Sequence, residues 1–234
     1  MASIRQKLLC LLGVFVGAPA VCSGQSLPAA CREAIIDTTS LLAGPEFYGA
    51  AVNRLQTAVS ASLSQVGWGS PADSGRQRLM KIVDSVAPSS PELTAWVLAE
   101  VIVDEYHYGG FESWLAAMVF RAHDLPPGPM LRRLTDGSGP GRVALGLQAL
   151  SPGLNQSEER TVFALACRAG WALEATTADT AMTRLWLESE VPALWVGQNL
   201  GILHEAHRLL GDAIERSFAP LVEVFSRSGF HPFE

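Results

Sequence analysis

The segment from Ser90 to His107, SPELTAWVLAEVIVDEYH, constrains the fold more than any other stretch of the chain. Serine is a suitable N-cap residue, proline suits the first helical turn, and Gly109-Gly110 supplies a stop. Between Glu92 and Glu100 the segment is almost entirely apolar. A helix that is apolar nearly all round must be covered by other elements. We therefore predict a helix over this whole segment, with the other helices packed around it.

Helical periodicity dominates the rest of the chain, and strand-like alternation is nearly absent. Residues Val52, Leu55, Val59 and Leu63 recur at helical spacings, for example, and form the apolar stripe of an amphipathic helix. Glycine and proline separate such segments from one another. The predicted helices include 45–63, 71–87, 111–123, 141–150, 157–174 and a long one over 192–218, with a short helix from Pro220.

These patterns predict an all-α fold of about eight to ten short-linked helices. About 210 residues are enough for one core, so we expect a single domain over 25–234, either a bundle or an irregular array of helical hairpins. The stretch 125–129, LPPGP, is the least helical and is a candidate hinge. The similarity of 94–99 (TAWVLA) to 161–166 (TVFALA) leaves open a duplicated hairpin, a HEAT-like array or chance.

Residues 1–24 have the layout of a secretory signal peptide. A short basic start precedes the apolar run 8–16, and a segment of small residues ends at Gly24. The apolar run is too short to span a bilayer comfortably, and no later run approaches the length of about 18 residues typical of a spanning helix. We therefore expect cleavage near Gly24, a secreted or periplasmic protein and no transmembrane helix. Lipid attachment at Cys22 is a weaker alternative.

Removal of this segment makes the chain more acidic, because Arg5 and Lys7 leave with it. The remainder has 15 Lys and Arg against 23 Asp and Glu, a net charge of about −8. Nucleic-acid backbones are bound by clustered basic residues that displace counterions. The densest basic spot in this chain is Arg132-Arg133. The composition therefore disfavours nucleic acid as a partner.

Two of the four cysteines remain after the predicted cleavage. Cys10 and Cys22 lie within the signal peptide, which leaves Cys31 and Cys167. In an oxidising compartment such a pair most simply forms a disulfide. The bond would close a loop of about 135 residues, worth about 4–5 kcal/mol when chain entropy alone is counted. Two buried free thiols are the alternative.

A stripe of acids and imidazole marks the second half of the central helix. If the helix runs through His107, then Glu100, Asp104 and His107 lie within about 60° of one another on one face. Asp104 and His107 also have the spacing of helical carboxylate–histidine pairs that bind iron or manganese in four-helix bundles. No second pair of that spacing occurs. A divalent metal site or an acid–base pair therefore stands beside a simpler interpretation, the water-facing side of a core helix.

A second polar group, His204-Glu205-Ala206-His207, lies on the predicted helix over 192–218. Its histidines are three residues apart, whereas the zinc-protease motif requires four, so we do not infer that chemistry. A helical projection puts His207 about 40° from the centre of the apolar arc. We expect its ring either to be satisfied by a neighbouring helix or to face the central helix across a shared cleft. In the second case the catalytic residues are Glu100, Asp104, His107 and His207, and the metal ligands are Asp104, His107, His204 and His207.

Two functions from different classes fit these observations. The favoured one is a non-catalytic exported module that binds a protein or peptide in a groove between helices, since the chain has many short-linked helices and no recognised catalytic motif. The alternative is a small metal-dependent or acid–base hydrolase that uses the histidine and carboxylate set. Convergence of Asp104 and His207 in one cleft would favour the hydrolase.

Overall fold

The computed structural model of the chain describes residues 29–34, 49–64, 72–177 and 189–227, and over these ranges it is helical with no strand. The helices are α1 Ala29–Glu33, α2 Ala50–Leu63, α3 Ala72–Val86, α4 Pro91–Val103, α5 Gly110–Ala122, α6 Pro127–Thr135, α7 Pro140–Gln148, α8 Gln156–Thr177, α9 Glu190–Leu210 and α10 Asp212–Ser226. The prediction of an all-α fold is confirmed. The predicted signal peptide, 1–24, lies outside the described residues.

Helix α4 is enclosed on nearly every side, as its apolar composition predicts. Nine of its thirteen residues are buried, and it packs against α2, α3, α5, α6 and α7. Its buried polar residue, Thr94, donates its hydroxyl to the carbonyl oxygen of Ser90 at 3.0 Å, so burial leaves that hydroxyl satisfied. In α2 the predicted stripe is also buried, at Leu55, Val59 and Leu63.

Helix α7 joins two groups of helices. It packs against α4, α5 and α6, and also against α8 and α9. Helix α7 can lie close to α6 because Gly146 has no side chain. A Cβ added to Gly146 would lie 2.6 Å from a methyl carbon of Leu134 in α6. One hydrophobic cluster then extends from Cys31 in α1 to Phe225 in α10. The described helices therefore share a single core.

The predicted disulfide is present. Cys31 in α1 is bonded to Cys167 in α8, with the two Cα atoms 5.5 Å apart and a sequence separation of 136. Both residues are buried in the core cluster. Within the described residues, no helix is both long and apolar enough to cross a membrane.

The prediction of one long helix over 192–218 is wrong. Helix α9 ends at Leu210, and Gly211 adopts φ 60° and ψ −138°. Glycine adopts such a left-handed conformation without the steric cost that a Cβ imposes. Helix α10 then continues past Pro220, where the sequence predicted a new helix.

The candidate hinge at 125–129 is packed into the core. Leu125, Gly128 and Pro129 are buried. Helix α6 begins within this segment, at Pro127, and proline is well suited to a first helical turn. Movement about this segment stays a prediction.

Candidate functional site

The central helix ends at Val103, before the acidic and imidazole residues that the sequence placed on it. Asp104 is the C-cap residue, with an extended backbone at φ −74° and ψ 107°. Its Oδ1 accepts hydrogen bonds from the backbone N–H groups of Tyr106 at 2.8 Å and His107 at 3.1 Å. An aspartate that binds the backbone two and three residues ahead favours a turn over a continued helix. The prediction that one helix face carries both Asp104 and His107 is therefore wrong.

The resulting turn, residues 104–108, still pairs the two side chains. Asp104 Oδ2 lies 2.6 Å from His107 Nδ1. The Asp104 side chain is 16% exposed, whereas that of His107 is 78% exposed. A carboxylate at Nδ1 fixes a proton on that nitrogen, so Nε2 of the neutral ring is left as a proton acceptor.

The pKa of Asp104 reflects two opposing effects. Partial burial by itself raises the pKa of this carboxyl group. Hydrogen bonds from the His107 ring and from the backbone of His107 and Tyr106, together with the charge that His107 can carry, outweigh burial and lower the pKa below its ordinary value. Asp104 is therefore a carboxylate at neutral pH.

Two side chains from other helices satisfy the end of α4. Ser113 in α5 donates its hydroxyl to the carbonyl oxygen of Val101 at 2.9 Å. Arg142 in α7 donates from Nη1 to the carbonyl oxygen of Ile102 at 3.2 Å. The last carbonyl groups of a helix have no partner within it. These two bonds therefore supply partners that α4 cannot provide for itself.

Arg142 also holds the far end of the 104–108 turn. Its Nη2 donates to the carbonyl oxygen of Tyr108 at 2.9 Å, and its Nε lies 3.9 Å from a carboxylate oxygen of Glu105. The Arg142 side chain is 13% exposed. A planar guanidinium can bind several acceptors at once. One side chain therefore connects the last turn of α4 to the end of the 104–108 turn.

A pocket of about 500 Å³ lies beside this turn. It is lined by residues of α2, of the end of α4, of the 104–108 turn and of the first turn of α5: Gln56, Ser60, Leu63, Ser64, Glu100, Asp104, His107, Tyr108 and Glu112. The oxygens of the Ser60 hydroxyl and the Tyr108 phenol are 2.6 Å apart, which ties α2 to the turn. We call this cavity the turn pocket.

The turn pocket has a neighbouring cavity along α2. A second cavity of about 610 Å³ is lined by Asn53, Gln56, Thr57, Ser60, Ala61 and Ser64. It shares Gln56, Ser60 and Ser64 with the turn pocket. Its lining carries no charged group, whereas the turn pocket has three carboxylates and one imidazole. The two cavities are therefore neighbours along α2, one with an uncharged polar lining and the other with an acidic end.

The carboxylates of the turn pocket are not equivalent. Glu100 lies 2.8 Å from Nη2 of Arg133 in α6, so its charge has a partner within the fold. Asp104 is paired with His107. Glu112 lies in the first turn of α5, where the helix dipole favours a negative charge. Among these three, Glu112 is the carboxylate for which the described part of the chain supplies no ion-pair partner.

The histidine and carboxylate set predicted from sequence splits in two. Glu100, Asp104 and His107 line the turn pocket, but His204 and His207 are on α9 and are not part of its lining. His207 Nε2 lies 3.6 Å from a carboxylate oxygen of Glu215 in α10.

The physical reason is the packing of α9, whose main contacts are with α7, α8 and α10. In the described part of the chain, no three His, Cys, Asp or Glu side chains are grouped so that they could hold a metal ion. Both four-residue sets therefore need correction: the structure does not bring His204 and His207 to Asp104 and His107.

Sequence reasoning missed Ser60, Tyr108 and Arg142. Ser60 and Tyr108 are 48 positions apart in sequence, and Arg142 is 34 positions from Tyr108. No local pattern connects residues at such distances. A signal for Arg142 does exist, since it is the lone charged residue in the helix PGRVALGLQ, and a partly buried cation requires acceptors.

Comparisons with protein-family models, with curated proteins and with solved structures found no significant match to this chain. The candidate function therefore rests on the geometry of the turn pocket.

Proposed function

We propose that this protein is an exported helical module that binds a peptide segment of a partner protein in the turn pocket. The observation that carries the proposal is a cavity of about 500 Å³ in which hydrogen bonds already hold four of the nine lining residues. Ser60 is bonded to Tyr108, and Asp104 is bonded to His107. A site that is ordered before binding avoids the entropy cost of ordering its side chains on association.

The lining indicates the chemistry of the partner. Hydroxyl and amide groups along α2 suit the polar backbone of an extended peptide, and the acidic end suits a basic side chain. The whole chain also has a formal net charge of −6, and charge complementarity speeds association and selects partners. We therefore infer that the bound segment carries Lys or Arg, with Glu112 as its nearest ion-pair partner.

Export is part of the same proposal. A disulfide joins Cys31 to Cys167, and stable disulfides form mainly in oxidising compartments. The layout of residues 1–24 agrees with secretion or delivery to a periplasm.

Selection from a random dodecapeptide phage library on the disulfide-intact secreted protein tests the proposal. The expected result is enrichment of peptides that contain Lys or Arg. Glu112→Gln should weaken binding of a synthetic copy of the selected peptide about tenfold in calorimetry, which corresponds to about 1.4 kcal/mol. The matched control is Glu159→Gln on the exposed side of α8, which should bind like the wild type. Selected peptides without basic residues, or equal binding by both variants, would contradict the proposal.

One observation favours a second function, acid–base hydrolysis. The 2.6 Å contact of Asp104 with His107 Nδ1 is the base and orienting half of a Ser–His–Asp arrangement. In ester hydrolysis, His107 Nε2 would take a proton from a water molecule as its oxygen attacks the carbonyl carbon. The ring would then return the proton to the departing alkoxide, so that an acid and an alcohol form. This function ranks second because the hydroxyl of Ser60 is bonded to Tyr108 instead of to His107.

Hydrolysis of p-nitrophenyl acetate distinguishes the two functions. An enzyme that uses His107 as a general base should lose about 100-fold or more of its rate in His107→Gln. His204→Gln on α9 is the matched control, since it removes another imidazole. Equal rates for the wild type and both variants would remove the second function.

A further inference from the structure

The 104–108 turn exposes one aromatic ring almost completely. Tyr106 is 97% exposed, whereas the exposed tryptophans among the described residues, Trp114 and Trp171, are 42% and 47% exposed. The backbone beneath the ring is nevertheless fixed, because the N–H group of Tyr106 donates to Asp104 Oδ1 at 2.8 Å. Arg142 holds the end of the same turn through the carbonyl oxygen of Tyr108.

Exposure of a large ring on a fixed backbone has an energetic consequence. A tyrosine supplies a wide contact area and has few rotatable bonds, so that little conformational entropy is lost when it is covered. Burying the ring in the fold would have been favourable, and the described helices leave it outside. The turn therefore presents Tyr106 in the manner of a contact residue at a protein interface.

We propose that Tyr106 stacks on the guanidinium group of an arginine in the partner peptide. This inference rests on the proposed peptide-binding function and specifies its basic residue. A guanidinium is planar and weakly hydrated, and it stacks on aromatic faces more readily than an ammonium group does. The same type of contact already occurs within the chain, where Arg132 Cζ lies 5.9 Å from the centre of the Trp96 ring.

Acidic residues near Tyr106 in the chain favour the same partner. Glu105 precedes Tyr106, and its side chain is 55% exposed although one carboxylate oxygen lies 3.9 Å from Arg142 Nε. Asp104 and His107, which bracket Tyr106 in sequence, line the turn pocket together with Glu112. A guanidinium above the ring can donate hydrogen bonds to a carboxylate in its plane while its face contacts the ring. Lysine has three donors and no planar face, so it could use the carboxylates but not the stacking surface. The turn therefore discriminates arginine from lysine.

Titration of the secreted protein with N-acetyl-arginine amide, followed by amide chemical shifts in NMR spectra, tests this inference. The wild type should show shifts at Tyr106 and His107 and should bind the arginine compound about fivefold more tightly than N-acetyl-lysine amide. Tyr106→Ala should abolish that preference, and Tyr106→Phe should retain it within about twofold because the ring face is kept. The matched control is Trp171→Ala, which removes another exposed ring on α8. Because Tyr106 is outside the core, the two Tyr106 variants should keep the fold of the wild type.

Failure of the inference and failure of the proposed function give different results. Equal affinities for the arginine and lysine compounds, or an unchanged preference in Tyr106→Ala, would overturn the role of Tyr106. The peptide pocket would still stand if library selection yields basic peptides that depend on Glu112. If the selection yields no such peptide and neither amino acid amide shifts the turn, both proposals are overturned.

Discussion

Two corners between consecutive helices each contain a histidine near an acid, and they are built by different means. At the α4–α5 corner, the carboxylate of Asp104 ends the helix and lies 2.6 Å from His107. At the α9–α10 corner, Gly211 ends the helix through its backbone, with φ 60°. His207 lies 3.6 Å from Glu215 across that corner.

The difference teaches that the group that ends a helix decides whether nearby side chains acquire a fixed geometry. At the first corner, one aspartate binds the backbone of the turn and the ring of His107, so acid and imidazole are positioned together. At the second, the residue that ends the helix is Gly211, which has no side chain, and the contact between His207 and Glu215 is long at 3.6 Å. A pocket lies beside the first corner, whereas the second corner favours glycine at position 211 because φ is positive there.

The largest effects are expected for two arginines, each of which donates hydrogen bonds to two backbone carbonyl groups. Arg142 binds the backbone of the first corner. Arg208 lies just before the second corner and donates from Nη2 to the carbonyl oxygens of Leu147 at 2.8 Å and Leu150 at 3.0 Å. Arg142→Met and Arg208→Met should each lower the free energy of unfolding by about 2–4 kcal/mol, since hydrogen bonds from charged donors are lost. Urea denaturation followed by tryptophan fluorescence measures this change.

The two arginine variants should differ in binding. We expect Arg142→Met to weaken the selected peptide, because the 104–108 turn loses its support, and Arg208→Met to leave the affinity unchanged. Arg160→Met, at an exposed position of α8, is the control for both and should change stability by less than about 0.5 kcal/mol. Unchanged peptide affinity in a folded Arg142→Met protein would show that the turn holds its shape without α7.

The next effect concerns Gly211. Gly211→Ala should lower the free energy of unfolding by about 1–3 kcal/mol, because a Cβ is disfavoured in this backbone conformation. Apart from the adjacent residues, no atom of the described part of the chain lies within 4 Å of the added Cβ, so the loss would come from the backbone conformation. Gly197→Ala, within α9 and also without close neighbours, should instead stabilise the protein by about 0.5–1 kcal/mol. If Gly211→Ala and Gly197→Ala changed the free energy of unfolding in the same direction, the second corner would not depend on the backbone conformation of Gly211.

A smaller effect should follow from Asp104→Asn, and it should depend on pH. The variant keeps an oxygen acceptor for the turn but loses the charge, so we expect a loss of about 1 kcal/mol in the free energy of unfolding at pH 7. Because the pKa of Asp104 is lowered in the folded state, its contribution is present above the pKa of the unfolded chain. That contribution disappears as the pH falls through the folded pKa.

Urea denaturation over a range of pH measures this dependence. The stability difference between the wild type and Asp104→Asn should be largest near neutral pH and should shrink steadily in acid, below about pH 4. A difference that grows in acid would have the wrong sign for a lowered pKa.

The smallest effect is expected at the second corner. Glu215→Gln should change the free energy of unfolding by less than about 0.5 kcal/mol, because a loose contact of an exposed carboxylate contributes little. His207→Gln removes further contacts of the ring, so the pair itself is measured by the coupling energy. Glu215 is 58% exposed, and its contact with His207 is long at 3.6 Å. A double-mutant cycle should give a coupling energy near zero, and a coupling above about 1 kcal/mol would mean that side chains shape this corner too.

The sequence predicted the helices well because their apolar spacing is a local property. Leu55, Val59 and Leu63 could be assigned to the core from spacing alone, and the structure buries all three. The disulfide was also predictable, since only Cys31 and Cys167 remain outside the predicted signal peptide. Each of these inferences needs only positions along the chain.

The helix ends were harder to predict for an energetic reason. A glycine within a helix costs only about 1 kcal/mol, so the apolar spacing that continues from Leu210 to Ile214 concealed the break at Gly211. Asp104 is equally ambiguous, because an aspartate can lie on a helix or end it. Only the hydrogen bonds to Tyr106 and His107 decide between these two roles.

The site depended on contacts between distant parts of the chain. Glu100, Asp104 and His107 were correctly grouped, although the turn and not a helix face brings them together. The proposed contribution of His207 failed because α9 packs on α7, α8 and α10. Helix spacing contains no information about which helices become neighbours.

The bond between Cys31 and Cys167 makes a covalent ring of the chain from α1 to α8. All residues that line the turn pocket lie inside that ring, between Gln56 and Glu112, whereas α9 and α10 follow it as a linear tail. One cut by a protease within the ring opens it without releasing a fragment. One cut after α8 separates the tail. After a single cut within the ring, the pocket would thus stay covalently joined to the rest of the chain on both sides.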